Sequence, residues 1–540
     1  MNTEDLKLKI QDAIKKCGFD VPLMDIVIEH SKDPSHGDYA TNVAMKLCKL
    51  FGKSPRDVAL QIIENLDKTG LDKEEIAGPG FINFFLKADS LTNIISRILK
   101  EGDCFGKSPS KGKKINVEFV SANPTGILHV GTARGAAYGD SLARILEWNG
   151  YDVTREYYIN DAGNQIDHLG ESLYARYLEQ LGRPFDLPED GYHGQDVVEI
   201  AKKLVSEIQD KGLSMPENEK KEFFKHYAMT IELDRIKKDL FDFGVKHDIF
   251  SSEKEIRANK ALENELKYLE KYTYIKDGAL YLKTTEFLDD KDRVVVKSDG
   301  EYTYFMPDIV YHLNKLSRGF DQLIDVLGAD HHGYINRMKS ALMMHGYSKD
   351  ILDIELIQMV RFIKDGEEIK ASKRTGNAIT LREICDEVGV DAMRYFFAMR
   401  APSSHLDFDM NLAVEQSSNN PVYYAQYAHA RLCSILSQGK DFNLDKFGTN
   451  LTLKSELDIC KCLAKFEDVI KDAANERSPF KITNYIHELA ELIHVFYNEC
   501  RVIDSNNISV TESRLALCDA SRQIMKNALY LIGVSAPTHM

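Results

Sequence analysis

The sequence predicts an α/β chain: a central domain that carries a phosphate site, a smaller α/β domain before it and a helical bundle after it. Three observations predict this order. Residues 115–146, INVEFVSANPTGILHVGTARGAAYGDSLARIL, read as a strand, a Gly/Pro-rich loop and a long helix, the sequence in which α/β folds build anion sites. Further apolar strand-like runs follow at Asp152–Ile159 and Val326–Gly328, with helical patterns between them. Beyond Leu406 only helical periodicity remains.

In the first domain Leu6, Ile10, Ala13, Ile14 and Cys17 mark an amphipathic helix, and a second helical pattern begins near Tyr39 after the turn-rich DPSHGD. Ala77–Phe85 reads as a turn entering a short strand, with Phe81 and Asn83 one period apart on one face; an edge strand with a single buried aromatic would look the same. A Gly/Ser/Lys-rich linker runs over about residues 102–114. In the central strand Ile115, Val117 and Phe119 alternate with Asn116, Glu118 and Val120, and Asn123, Pro124 and Gly126 break it. His129 then lies just before a helix N-terminus, where free amides attract anions, and Gly131 leaves room for a phosphate to approach. Glu118 lies near the carboxyl end of the strand. An ordinary βα turn with a surface histidine fits the same residues.

From about residue 170 to 300 the pattern is mostly polar and helical (197–208, 217–240, 253–268), followed by a short strand at 279–284. Tyr302–Asp308 leads into a helix with Pro307 in its first turn, where Asp308 alone would simply favour the helix dipole. Asp330, His331 and His332 are too close in sequence to converge on one metal ion. Lys370-Ala-Ser-Lys-Arg374 puts two lysines and a hydroxyl in a polar loop able to clamp a polyphosphate, or to be a solvated turn. In the last segment Tyr424, Tyr427, Ala428 and Arg431 share one helical face. Leu453 to Phe466, Ile486 to Phe496 and Ile524 to Leu531 carry three more stripes, which makes four to six antiparallel helices.

The chain has 540 residues, enough for three or four domains. A net charge of −15 argues against indiscriminate coating of nucleic acid, although local clusters such as Lys107, Lys111, Lys113 and Lys114 can still meet phosphates. Nine scattered cysteines without a C-x-x-C pair disfavour structural zinc and a disulfide framework, and suit a reducing cytosol. No apolar run is long enough to span a bilayer, so a cytoplasmic protein is expected.

His129-Val-Gly-Thr132 and Lys370-Ala-Ser-Lys-Arg374 together resemble the paired H-I-G-H and K-M-S-K-S motifs of class I aminoacyl-tRNA synthetases. VEFVSANPTG, YYINDAGNQI, GADHHGY, KASKRTGNAITL and NPVYYAQYAHARL narrow the resemblance to the arginyl-tRNA synthetase family over nearly the whole chain. The resemblance implies an N-terminal α/β domain binding the tRNA elbow (1–110) and a Rossmann-type catalytic domain (111–405) with an insertion at about 170–300. An α-helical anticodon-binding bundle (406–540) follows. It implies ATP with Mg2+, L-arginine and tRNA(Arg) as substrates, no protein-held metal and a monomer. By position, His129, Thr132, Lys370 and Lys373 fall on catalytic residues, joined at ATP by Gly131, Gly328, His331 and Ser372. Glu118, Asn123, Tyr304, Asp308 and His331 fall on the arginine pocket, and Phe81, Asn83, Tyr424, Tyr427 and Met540 on tRNA contacts. The chain departs from the motifs at Thr132, in place of the second histidine, at Ala371, in place of methionine, and at His331, where many relatives carry glutamine. The alternatives are a tRNA-binding regulator that has lost catalysis and a class I synthetase for another amino acid; retention of His129, Lys370 and Lys373 argues against the first.

Overall fold

The computed structural model describes residues 2–31, 33–258, 260–369, 379–443 and 450–540. The chain divides into two units, residues 1–108 with 416–540, and residues 109–415.

Helix α1 (Thr3–Lys16) begins where Asn2 and Asp5 cap each other's backbone amides, and it buries Leu6, Ile10, Ala13 and Ile14. The residues near Tyr39, expected to open a second helix, form a strand instead. Strands β1 (Ile28–His30), β2 (Tyr39–Thr41), β3 (Leu71–Ala77) and β4 (Phe81–Leu86) make an antiparallel sheet in the order β1-β2-β4-β3. Tyr39 and Thr41 are buried on alternate positions and pair with Phe84 and Ile82, a period of two that a helix cannot satisfy. Helix α2 (Val43–Phe51) starts only after them, and α3 (Pro55–Asn65) follows a Ser54 cap with Pro55 in its first turn. β4 is thus an interior strand, not an edge. After α4 (Ala88–Glu101), the stretch expected as linker is partly core: Phe105 is fully buried and stacks on Phe466 at 6.4 Å.

In the second unit β5 (Lys114–Glu118) enters α5 (Ala133–Trp148) through the loop at residues 119–132, and β6 (Asp152–Ile159) returns. The alternation in β5 does not sort inside from outside, because Ile115 to Glu118 are all buried, as in a central parallel strand covered on both faces. The Asn116 amide donates there to Glu156 Oε2 at 2.6 Å, while its buried Oδ1 has no partner among the described residues. The strand stops at Glu118, short of Val120, because the backbone turns to positive φ, 72° at Val120 and 42° at Ser121.

Helices α6 (Asn164–Gln180), α7 (Gln195–Ile208) and α8 (Glu217–Asp242) pack around Leu169, Leu173, Tyr177, Val197, Leu204 and Phe224. β7 (Ile249–Ser252) then pairs with β6, so the polar helical stretch is not wholly outside the main sheet. The single helix expected over 253–268 is two, α9 (Glu253–Ile256) and α10 (Ala261–Leu269), with Lys260 in a left-handed conformation between them. β8 (Thr273–Lys276), β9 (Ala279–Leu282) and β10 (Arg293–Val296) form a separate antiparallel sheet. Then come α11 (Phe305–Ser317), β11 (Gln322–Gly328), α12 (Ile335–Met344) and β12 (Leu352–Ile357).

The main sheet is fully parallel in the order β12-β11-β5-β6-β7. The chain runs from β5 outward through β6 to β7 and resumes on the other side of β5, so the strand order reverses between β5 and β11. A crevice opens beyond the carboxyl ends of strands at such a point. β13 (Val360–Lys364), β14 (Glu367–Glu368), α13 (Leu381–Val388), α14 (Val390–Ala398), β15 (Leu406–Asp409) and α15 (Met410–Val414) complete the unit. β15 pairs with β13, so the helical pattern starts at Met410, not Leu406.

The bundle consists of α16 (Pro421–Gln438), α17 (Lys454–Asn475), α18 (Phe480–Glu499) and α19 (Ile508–Leu531). Its expected stripes are buried except at Tyr424, Tyr427, Arg431 and Leu457, which are half-buried, and at Leu453, which is exposed just before α17. Within this unit Thr3 and His30 bond Asp468, at 2.8 and 3.1 Å, and Arg97 forks onto Glu467 at 2.8 and 2.5 Å.

One contact fixes α5 on its strand. A Cβ at Gly139 would lie 2.3 Å from the Phe119 ring. Gly139→Ala is expected to destabilise the fold by about 1–3 kcal/mol through overpacking, more than the ~1 kcal/mol of helix propensity it gains. Thermal melting checks this, and Phe119→Leu in the same chain should restore part of the loss.

Candidate active site

The turn after β5 places Glu118 at the reversal point. Non-glycine residues seldom adopt positive φ, least of all β-branched ones, and three bonds hold this turn. Ser121 donates to Glu118 Oε1 at 2.9 Å, Tyr158 N–H donates to Ser121 Oγ at 3.0 Å, and the Tyr157 hydroxyl donates to Ala122 O at 2.6 Å. In the neighbouring strand Asp325 is directly in register with Glu118. Lys315 of α11, fully buried, reaches both: its ammonium bonds Glu118 Oε2 and lies 2.9 Å from Asp325 Oδ1. His312 completes the group at 2.7 Å from Asp325 Oδ2.

Burial works against charge on each of these groups, and their mutual attraction outweighs it. Lys315 is raised by Asp325 and Glu118, His312 is raised by Asp325, and Asp325 is lowered by Lys315 and His312. A second buried acid, Glu156, is held by Arg318 at 2.7 Å and by the Tyr311 hydroxyl at 3.0 Å.

Asp308 heads the same face of α11. Its carboxyl is pushed up to about 7, first by burial and then by the Glu118 and Glu253 carboxylates, against the pull of His312 and a hydrogen bond with Tyr334. Tyr158 bonds Glu253 and packs on Tyr311 with ring centroids 4.5 Å apart. The structure therefore brings Glu118 and Asp308 into one acidic, aromatic-walled site. Tyr304, four residues before Asp308, is 84% exposed and stands outside it. Lys315 sets the charge balance of this site: Glu118 already has a cation, so the two carboxylates are not both left unpaired.

An open cleft of about 840 Å³ lies beside this site, lined by Asn123, His129, Thr132, Thr380 and the segment Tyr192–Asp196. His129 precedes a short 3-10 turn, Val130–Thr132, that leads into α5. It bridges to Thr380, with Val130 N–H donating to Ile379 O and Leu381 N–H to Leu128 O, both at 2.9 Å. A Cβ at Gly131 would meet nothing within 4 Å, so packing alone does not require glycine there. The Thr132 hydroxyl donates to His129 O at 2.8 Å, and the Asn123 amide to Gln165 Oε1 at 2.7 Å. Gly328 ends β11 and begins a 3-10 turn, Ala329–Tyr334, on which His331 is exposed, 3.7 Å from Asp330. Among the described residues no three His, Cys, Asp or Glu are grouped to hold a metal ion. Lys370, Ala371, Ser372 and Lys373 lie outside the described residues.

In the other unit Phe81 is 38% exposed while Asn83, two residues on, is 4% exposed. Tyr424 and Tyr427 are half-buried on α16. Tyr424 packs on His494 at 4.5 Å, Tyr427 stacks on Tyr423 at 5.9 Å, and Arg431 covers the rings of Tyr427 and Tyr497 at 4.9 and 3.9 Å. Met540 is exposed, and the tail before it is bound to α16 through Gln426 with Ser535 and His429 with Pro537.

Sequence reasoning missed Lys315, His312, Asp325, Glu253 and Tyr334. One signal was present: Asp308, Tyr311, His312 and Lys315 stand at i, i+3, i+4 and i+7, the spacing of a buried face written in polar residues.

Residues 94–433 match the family model for the catalytic domain of class I (R) tRNA synthetases. The chain belongs to the arginyl-tRNA synthetase family. Residues 4–86 match the arginyl tRNA synthetase N terminal domain and residues 425–540 the DALR anticodon binding domain. The chain is 49% identical over 550 residues to the arginine–tRNA ligase of Anoxybacillus flavithermus, covering 99% of each chain. It is 48% identical over 546 residues to that of Bacillus subtilis, covering 99% of this chain and 98% of the relative. The arginyl-tRNA synthetase structures from Thermus thermophilus (TM-score 0.78, 21% identity, all of both chains) and Plasmodium falciparum (0.77, 18%, all of this chain and 99% of the other) share its fold.

The Asp308 carboxyl gives a pH signature. The folded protein keeps its proton up to about pH 7, whereas the unfolded chain releases it near the ordinary 3.8. Its contribution to stability is therefore full below the unfolded value and lost as pH rises toward 7. Asp308→Asn cannot titrate, so its melting temperature relative to the parent should climb steadily across this window. A difference that stays flat with pH would mean the carboxyl behaves as an ordinary surface acid.

Proposed function

We propose that this chain is an arginine–tRNA ligase whose amino acid pocket is the Glu118–Asp308 site and whose nucleotide site is the His129 cleft. Membership of the family supports the reaction: arginine and ATP give arginyl-adenylate and pyrophosphate, and the arginyl group then passes to the 3′ end of tRNA(Arg). The observation that carries the pocket assignment is the convergence of two carboxylates beside the open cleft, at the reversal point of the sheet. A planar guanidinium satisfies carboxylate oxygens in a fixed geometry that an ammonium does not match.

Attack of the arginine carboxylate on the α-phosphorus needs little covalent help, so positioning and charge stabilisation supply most of the rate. His129, Gly131 and the first turn of α5 receive the phosphates. ATP enters as its Mg2+ complex. Lys370, Ser372 and Lys373 meet the departing pyrophosphate. Glu118 and Asn123 hold the α-amino end of arginine, and Asp308 holds the guanidinium. Tyr304, one turn before Asp308 and exposed, closes over the bound side chain. Gly328 and His331 border the adenosine. The Thr132 hydroxyl is bonded to a backbone carbonyl, so the weight of the first step rests on His129 and the lysines.

The N-terminal domain meets the tRNA elbow through Phe81 and Asn83, of which Phe81 is the exposed one. The bundle takes the anticodon at Tyr424, Tyr427 and Met540. Among the described residues no helix is long and apolar enough to cross a membrane. We place the enzyme in the cytoplasm as a monomer.

The test of the reaction is exchange of pyrophosphate into ATP with each amino acid in turn. Exchange is expected with arginine and with tRNA present. Asp308→Asn should lower kcat/KM for arginine by at least ~2 kcal/mol, since a broken buried ion pair is costly. The same variant should narrow the gap to citrulline, the neutral isostere; an undiminished preference for arginine would mean that Asp308 only caps its helix.

Tyr427→Ala is expected to raise the KM for tRNA by an amount equivalent to roughly 1–3 kcal/mol of lost stacking, with kcat at saturating tRNA nearly unchanged. A large fall in melting temperature alongside would assign the ring to the bundle core instead.

A further inference from the structure

We propose that Lys315 is a positioning residue for the amino acid pocket: it holds the Glu118 carboxylate in the orientation that receives the substrate's α-ammonium. The proposal rests on the placement of Glu118 at the α-amino end of arginine.

The geometry is specific. Lys315 sits two turns beyond Asp308 on the polar face of α11, with 0% of its surface exposed. Its ammonium has three neighbours, Glu118 Oε2, Asp325 Oδ1 at 2.9 Å and the face of Tyr311 at 4.5 Å. Glu118 Oε1 is taken by Ser121 at 2.9 Å. Lys315 and Ser121 thus hold the two oxygens of Glu118 from fixed positions, with the Tyr311 hydroxyl also bonding this carboxylate, which sets the carboxylate plane. Asp325 in turn is fixed by His312 at 2.7 Å, so the lysine is held from behind by a residue that is itself tied to the backbone of α11, His312 Nδ1 lying 2.7 Å from Asp308 O. The chain of contacts runs from the start of α11, where the guanidinium end is proposed to bind, to the carboxyl end of β5, where the α-amino end is proposed to bind. Stability alone does not require the lysine, since replacement of a buried ion cluster by apolar groups often leaves stability unchanged or raised.

The test compares the dissociation constants of arginine and of its desamino analogue, which lacks only the α-ammonium, on the full-length protein. The variants are Glu118→Gln, Lys315→Met and the double variant Lys315→Met with Asp325→Asn, which removes the fully buried acid that loss of the lysine would strand and leaves Glu118 its Ser121 donor. The parent is expected to prefer arginine. In Lys315→Met and in the double variant that preference should narrow by about tenfold or more, the worth of a charge-assisted hydrogen bond. The double variant should melt close to the parent. If Glu118→Gln keeps the full preference, the placement of Glu118 has failed. If Glu118→Gln loses it and the folded double variant keeps it, the role of Lys315 is overturned. A double variant that does not fold also overturns it, because the cluster would then serve the fold and not the carboxylate.

Discussion

Two carboxylates on adjacent strands repel each other strongly in an interior of low dielectric, and Lys315 lies between Glu118 and Asp325 to make their register possible. Much of the catalytic unit's centre is arranged around that need. α11 must run close enough over β5 and β11 for a lysine to reach them, His312 must brace the outer acid, and Tyr311 must lay its ring against the ammonium. The same helix then presents Asp308 at its first turn. The proposed substrate pocket is in this sense the open end of a buried ion network, and its charge is set by which acids the network has already neutralised.

On the proposed phosphate side the described residues are organised by main-chain bonds. Positive φ at Val120 and Ser121 ends β5 abruptly, and the following loop is tied to Ile379–Leu381 by main-chain bonds that flank His129. Thr380 also caps α13 reciprocally with Glu383, so the segment that returns to His129 is anchored at a helix start. The histidine is therefore positioned by two distant parts of the chain, each rigid for local reasons.

Much of this was legible in the sequence where a residue's role depends on its neighbours along the chain. The strand, loop and helix of residues 115–146, the strand at Asp152–Ile159 and the bundle stripes are local patterns, and they were readable as such. Tyr39 was not, because its strand exists only by pairing with Phe84. The break at Lys260 was not, since a lysine in a left-handed turn carries no compositional mark. Lys315 and Asp325 read as unremarkable polar residues in a helix and a strand; their meaning comes from Glu118, about two hundred positions earlier, through the register of β5 with β11. Motif resemblance pointed to Glu118 and Asp308, but the counter-ion beside Glu118 was visible only in three dimensions.

The first unit is assembled from both ends of the chain, and Thr3 finds Asp468 across 465 residues. On a ribosome the N-terminal sheet emerges long before the helix it will dock against; at about 5–20 residues per second the wait is roughly twenty to ninety seconds. During that interval the surface awaiting its partner mixes polar groups, Thr3, His30, Asp38 and Arg97, with apolar ones, Phe105 and helix α4, which later meets α17 and α19. Water satisfies the polar groups until the late helices arrive, whereas Phe105 has no ring to stack on before then, so the long-range closure waits for the end of translation.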